Sequence, residues 1–78
     1  MRLKTLDQVD QFLKIVDSCK GNIYLTSKYG DRFNLRSKLS QFLAIHILLD
    51  EQGDDFELHC IDYEDHDRLN SYLRTHSS

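Results

Sequence analysis

The sequence predicts an α+β fold in which an antiparallel sheet is packed on one face by helices. Three observations carry that expectation. The chain has 78 residues, enough for one hydrophobic core and too few for two, so residues 1–78 are read as a single domain. The spacing of apolar residues changes along the chain from three-and-four to two and back again. Proline is absent, and the three glycines, Gly21, Gly30 and Gly53, all fall between periodic segments.

In Met1 to Leu6, Met1 and Leu3 alternate with Arg2 and Lys4, the pattern of a short edge strand. Leu6, Val9, Phe12, Leu13, Val16 and Cys19 then recur at three and four, predicting an amphipathic helix from Asp7 to about Cys19. Thr5 and Gln8 have capping-box spacing, and Lys20-Gly21 is a helix stop. Ile23 and Leu25 alternate with Tyr24 and Thr26, and Phe33 and Leu35 with Arg32 and Asn34. The connection from Ser27 to Asp31 is short and contains Gly30, so the strands over 23–27 and 32–36 form an antiparallel hairpin.

Ser37 is placed to cap a second helix, on which Leu39, Phe42, Leu43, Ile45, His46 and Leu49 share a broad face that Ile47 and Leu48 widen. An arc this wide exceeds the stripe of about 100° that one core contact requires. Asp50 to Asp54 reads as a polar turn, and Phe56, Leu58 and Cys60 alternate with Glu57, His59 and Ile61 in another strand. From Glu64 onward, Leu69, Tyr72 and Leu73 mark a third helix, with acidic residues at its start and Arg74 near its end, as the helix dipole favours. The order is strand, helix, strand, strand, helix, strand, helix.

Composition narrows the function classes. Ten Lys and Arg against thirteen Asp and Glu give a formal charge of −3, without the basic excess of a generic phosphate-backbone binder. That charge is uneven: residues 1–49 carry +4 and residues 50–78 carry −7. The acidic part is either a solvated surface or a dock for a basic partner. The longest apolar stretch, Ala44 to Leu49, is interrupted by His46 and falls far short of the roughly 20 residues of a membrane span. Charges occupy the place where a signal peptide would need its apolar region, so the expected location is the cytoplasm.

The order and spacing of Gly21-Asn22-Ile23-Tyr24-Leu25-Thr26-Ser27, Phe33-Asn34-Leu35-Arg36-Ser37 and Gln52-Gly53-Asp54-Asp55-Phe56-Glu57-Leu58 resemble the HPr phosphocarriers of the sugar phosphotransferase system. The resemblance covers most of the chain. It implies an HPr-like open-faced two-layer sandwich: a four-stranded antiparallel sheet with three helices on one face. The family's phosphoacceptor histidine, in a G-x-H-x-R motif after the first strand, has no counterpart, because Lys4-Thr5-Leu6-Asp7-Gln8 stands there and no histidine precedes His46. A degenerate member without phosphocarrier activity is therefore expected, with no enzymatic role and no cofactor. The family's regulatory serine, at the start of the second helix after a basic residue, matches Ser37 after Arg36. A plain helix cap is the other reading of Ser37.

Other constellations carry less chemistry. His46, His59, His66 and His76 have no metal-ligand spacing, so no metal site is expected. Cys60, His59 and Asp62 could supply a hydrolase triad only if strand neighbours shared a face, which they do not. Cys19 and Cys60 are read as buried reduced thiols, and a disulfide between them would need their Cα atoms near 5–6 Å. Two functions follow. The first is a non-catalytic interaction or regulatory domain that uses Ile45, Ile47, Leu48 and Leu49 to contact a phosphotransferase component, a regulator or a second copy of itself. The second is a small nucleic-acid-binding module using a basic sheet side made of Arg2, Lys4, Tyr24, Asn34 and Arg36, although the aromatic pair that stacks bases in RNA-binding sheets is missing.

Overall fold

The computed structural model describes residues 1–76. Helix α1 (Leu6–Asp17) is followed by β1 (Ile23–Ser27) and β2 (Arg32–Asn34), then by α2 (Lys38–Leu48), a 3-10 turn over Glu51–Asp55, β3 (Phe56–Cys60) and α3 (Tyr63–His76). Thr5 caps α1 by accepting the Gln8 amide at 3.2 Å, and the Gln8 side chain accepts the amide of Lys4, the residue before the cap, so half of the capping box forms and its return bond moves back by one residue. The β1–β2 hairpin turns at Gly30, whose φ of 97° lies where a side chain would be strained. Asp62 caps α3, accepting the amides of Glu64 and Asp65.

The strands form a three-stranded antiparallel sheet in the order β2-β1-β3. Leu25 stands opposite Phe33 on one side and Leu58 on the other, and Ile23 opposite Cys60, so one face of the sheet is apolar. That face packs with Val9, Phe12 and Val16 of α1, Leu48 of α2 and Leu69 of α3 in a single core. The other face carries Tyr24, Thr26, Arg32, Asn34, Glu57 and His59, with the Arg32 guanidinium 4.0 Å from the centre of the Tyr24 ring.

The expected fourth strand does not form over Met1 to Leu6, where Leu3 makes only an isolated bridge. Met1 to Lys4 runs beside the end of α2 instead, where the Leu3 amide donates to the Leu48 carbonyl at 2.8 Å and the Leu3 side chain is buried. The Met1 ammonium donates to the Gly53 carbonyl, and Arg2 pairs with Asp54 at 3.1 Å. Gly53 permits this approach: a Cβ there would meet the Met1 carbonyl oxygen and lie 2.9 Å from the Ile47 carbonyl oxygen. The alternation of Met1 to Lys4 thus buries Leu3 against a helix end rather than in a ladder.

Two polar side chains tie the layers together. Gln41, buried on α2, donates to the Leu35 carbonyl at 2.9 Å and to Asp17 of α1 at 2.7 Å. Asp65, fully buried at the start of α3, accepts the amides of Lys20 and Gly21 at 3.0 and 2.9 Å through one oxygen, while its other oxygen has no partner. The Gly21 and Lys20 amides hold the Asp65 carboxyl below its ordinary value against the opposing effect of burial.

Candidate interaction surface

Helix α2 carries two apolar stripes. Gln41, Ala44, Ile47 and Leu48 recur at three and four and face the core. Leu39, Phe42 and Leu43 fall on the opposite side and are 72, 61 and 40 % exposed, and His46 continues their stripe with its ring 5.6 Å from that of Phe42. Leu49, just beyond the helix, is also exposed, and Ile45 is half-buried at the border of the stripe.

This corrects the expected surface. Ile47 and Leu48 are buried, Leu48 completely, so of the four residues Ile45, Ile47, Leu48 and Leu49 only Ile45 and Leu49 reach the outside. The physical reason is Gln41. Its amide faces inward because two acceptors wait there, the Leu35 carbonyl and Asp17, and that rotation turns Leu39, Phe42 and Leu43 outward. A shallow groove of about 360 Å³ runs between α1 and α2 beside this stripe. It has Leu13, Phe42 and Ile45 along it and Lys14, Asp17 and Lys38 at its rim. Lys38 lies 3.7 Å from Asp17, so the rim charges are largely matched.

Ser37 occupies the N-cap position of α2 in extended backbone, yet its hydroxyl makes no capping bond. The side chain is exposed. Arg36 is turned away from it and donates to the Cys19 carbonyl at 2.5 Å. The other sequence candidates are dispersed. Arg2 is paired with Asp54, and Lys4 precedes α1, so neither lies on the sheet; Tyr24 and Asn34 do, joined by Arg32 rather than Arg36. The open face therefore holds one arginine, already against Tyr24, beside Glu57 and His59, and is not the basic platform expected.

Cys60 lies on the apolar side of β3 and His59 on the open side, so they do not converge. Both cysteines are free thiols. Burial pushes the Cys60 thiol up to about 11, and burial followed by the Asp65 charge raises Cys19. The His76 ring lies tilted against that of Tyr72 with centres 4.3 Å apart, and His59 is 3.9 Å from Glu57. Among the described residues, no three His, Cys, Asp or Glu side chains are grouped as metal ligands, and no helix is long and apolar enough to cross a membrane.

No protein-family model matches the chain, and no curated protein or solved structure matches it either.

Proposed function

We propose that the chain is a non-catalytic interaction domain whose contact surface is the outer stripe of α2, Leu39, Phe42 and Leu43, extended by Ile45 and Leu49. The observation that carries the reading is the exposure of large apolar side chains on successive turns of one helix that is already anchored by its opposite face. Singly exposed apolar residues are ordinary, but a contiguous row of them costs solubility and is characteristic of a surface that is covered by a protein partner. Aromatic and aliphatic anchors of this kind dominate interface energetics, so Phe42 is the expected centre.

The HPr resemblance belongs to the same proposal. Helices against one face of an antiparallel sheet support it, whereas the three strands depart from it. A degenerate HPr-like domain keeps its docking role after losing the phosphoacceptor, and Ser37, five residues before Phe42, is where a phosphate would alter that docking. Location in the cytoplasm remains part of this reading.

The test is site-specific photo-crosslinking from position 42 in cells, compared with position 24 on the open sheet face. The expected result is a discrete protein adduct from position 42 that Leu39→Asp abolishes and Tyr24→Asp leaves intact. Crosslinking to nucleic acid from position 24, with none from position 42, would overturn the proposal in favour of the sheet.

A further inference from the structure

The two edges of the sheet are finished differently. β2 is three residues long, carries Arg32, and its Asn34 carbonyl accepts the Ser37 amide, so that edge is short, charged and closed by the approach to α2. β3 is five residues long and, among the described residues, pairs only with β1. The bonds from Ile61 to Asn22 and from Lys28 to Asp55 fix the ladder's phase: Glu57 and His59 direct their backbone groups to β1, while Phe56, Leu58 and Cys60 direct theirs outward. The Phe56 amide is satisfied by the Gly53 carbonyl. Both backbone groups of Leu58 and of Cys60, and the Phe56 carbonyl, face away from β1, and among the described residues no strand lies beside them.

We propose that this edge pairs with the same edge of a second copy, joining two sheets into one of six strands about a two-fold axis at Leu58. The sequence Phe56-Glu57-Leu58-His59-Cys60 is complementary to itself when reversed. Antiparallel pairing centred on Leu58 sets Leu58 against Leu58, Phe56 against Cys60, and Glu57 against His59 of the second copy. The first two pairs are the hydrogen-bonded ones and their side chains lie on the apolar side of the sheet. Glu57 and His59 form the closer, non-hydrogen-bonded pairs on the open face, where an imidazole N–H donates to a carboxylate twice in each dimer. A shift of register by two residues removes those matches and sets Glu57 against Glu57 or His59 against His59. A concavity of about 440 Å³ adjoins the edge, where Met1, Phe56, Leu58 and Leu73 alternate with polar and charged side chains such as Arg2 and Arg74, so a strand added there covers a mixed surface. The pairing uses neither Leu39 nor Phe42, so the surface of α2 stays free, and the failure of either proposal leaves the other standing.

Sedimentation equilibrium and amide hydrogen exchange on the full chain test this over a concentration range reaching about 1 mM. The expected result is a monomer–dimer equilibrium in which the Leu58 and Cys60 amides gain protection as concentration rises, while those of β2 do not change. Glu57→Lys, which removes the carboxylate that accepts from His59, and His59→Glu, which sets two carboxylates opposite one another, are both on the solvent-facing side and should each weaken the dimer about tenfold. An equal mixture of the two variants should recover the affinity, since the new lysine of one chain then faces the new glutamate of the other. A chain that stays monomeric throughout, a dimer with unchanged Leu58 and Cys60 exchange, or variants that neither weaken nor complement one another would each overturn the proposal.

Discussion

Truncating each stripe of α2 in turn gives a quantitative test of which one the core holds. Leu48 is fully buried in the core, so Leu48→Ala loses the transfer free energy of its methyl groups and leaves a cavity, together about 3 kcal/mol. Phe42 is 61 % exposed, and Phe42→Ala forfeits only partial contacts while gaining helix propensity, for a net loss of about 0.5 kcal/mol. A domain of this size has a total of roughly 4–12 kcal/mol. In a domain this small each kcal/mol moves Tm by roughly 4–8 °C, so Leu48→Ala should lower Tm by about 10–25 °C and Phe42→Ala by less than about 5 °C. Gln41→Ala, which strands the Leu35 carbonyl and loosens Asp17, should fall between them at about 1–3 kcal/mol. Urea unfolding followed by circular dichroism measures all three on one scale, provided the m-values agree. A Phe42→Ala loss equal to that of Leu48→Ala would refute the orientation of α2 and the interaction surface built on it.

Further outcomes follow from single groups. Asp65 has a depressed carboxyl pKa in the folded chain, so its charge stabilises the fold above its ordinary value of 3.8, and that contribution is lost as pH falls through the lower folded value. Asp65→Asn should therefore be less stable at neutral pH and show a shallower acid transition, and parallel stability-against-pH curves for the two proteins would refute this. With its thiol raised to about 11, Cys60 should react with a disulfide reagent far more slowly at neutral pH than a free thiol, and faster as pH approaches that value; prompt labelling in the folded state would contradict this. Gly53→Ala should dislodge Met1 and Arg2, measured as faster exchange of the Leu3 amide, because the added Cβ overlaps the Met1 carbonyl oxygen. Incubation with phosphoenolpyruvate and the general phosphotransferase enzyme should leave no acid-labile phosphate, and stoichiometric phosphohistidine would end the degenerate-carrier reading.

The sequence carries the helix over residues 6–17 clearly, because its apolar residues lie on one side only and Thr5 and Gln8 mark its start. The β1–β2 hairpin is equally legible from its alternation and Gly30. The rotation of α2 is not, since apolar residues lie on both sides of it and the deciding residue is polar: Gln41 points inward toward the Leu35 carbonyl just before the helix and Asp17 of α1, which is far off in sequence. Met1 to Lys4 misleads for a related reason. Four residues of alternation suit a strand or any segment that buries Leu3 alone, and only the Leu48 carbonyl, contributed from far along the chain, decides between them. Asp65 reads as a favourable charge at a helix start, a correct but incomplete description, because its amide partners at Lys20 and Gly21 have no local signature.

The central place of β1 sets the order in which this chain can be assembled. Its pairing with β2 is local, whereas its pairing with β3 joins residues roughly thirty apart and encloses all of α2, so the second ladder carries the greater loop-closure entropy. Until β3 arrives, one side of β1 has open hydrogen-bonding groups next to Ile23 and Leu25, the side chains most in need of cover. A nascent or partly denatured chain would therefore be most prone to aggregate through β1, and residues that hasten the docking of β3, Leu58 foremost, should govern refolding yield more than they govern the stability of the finished domain.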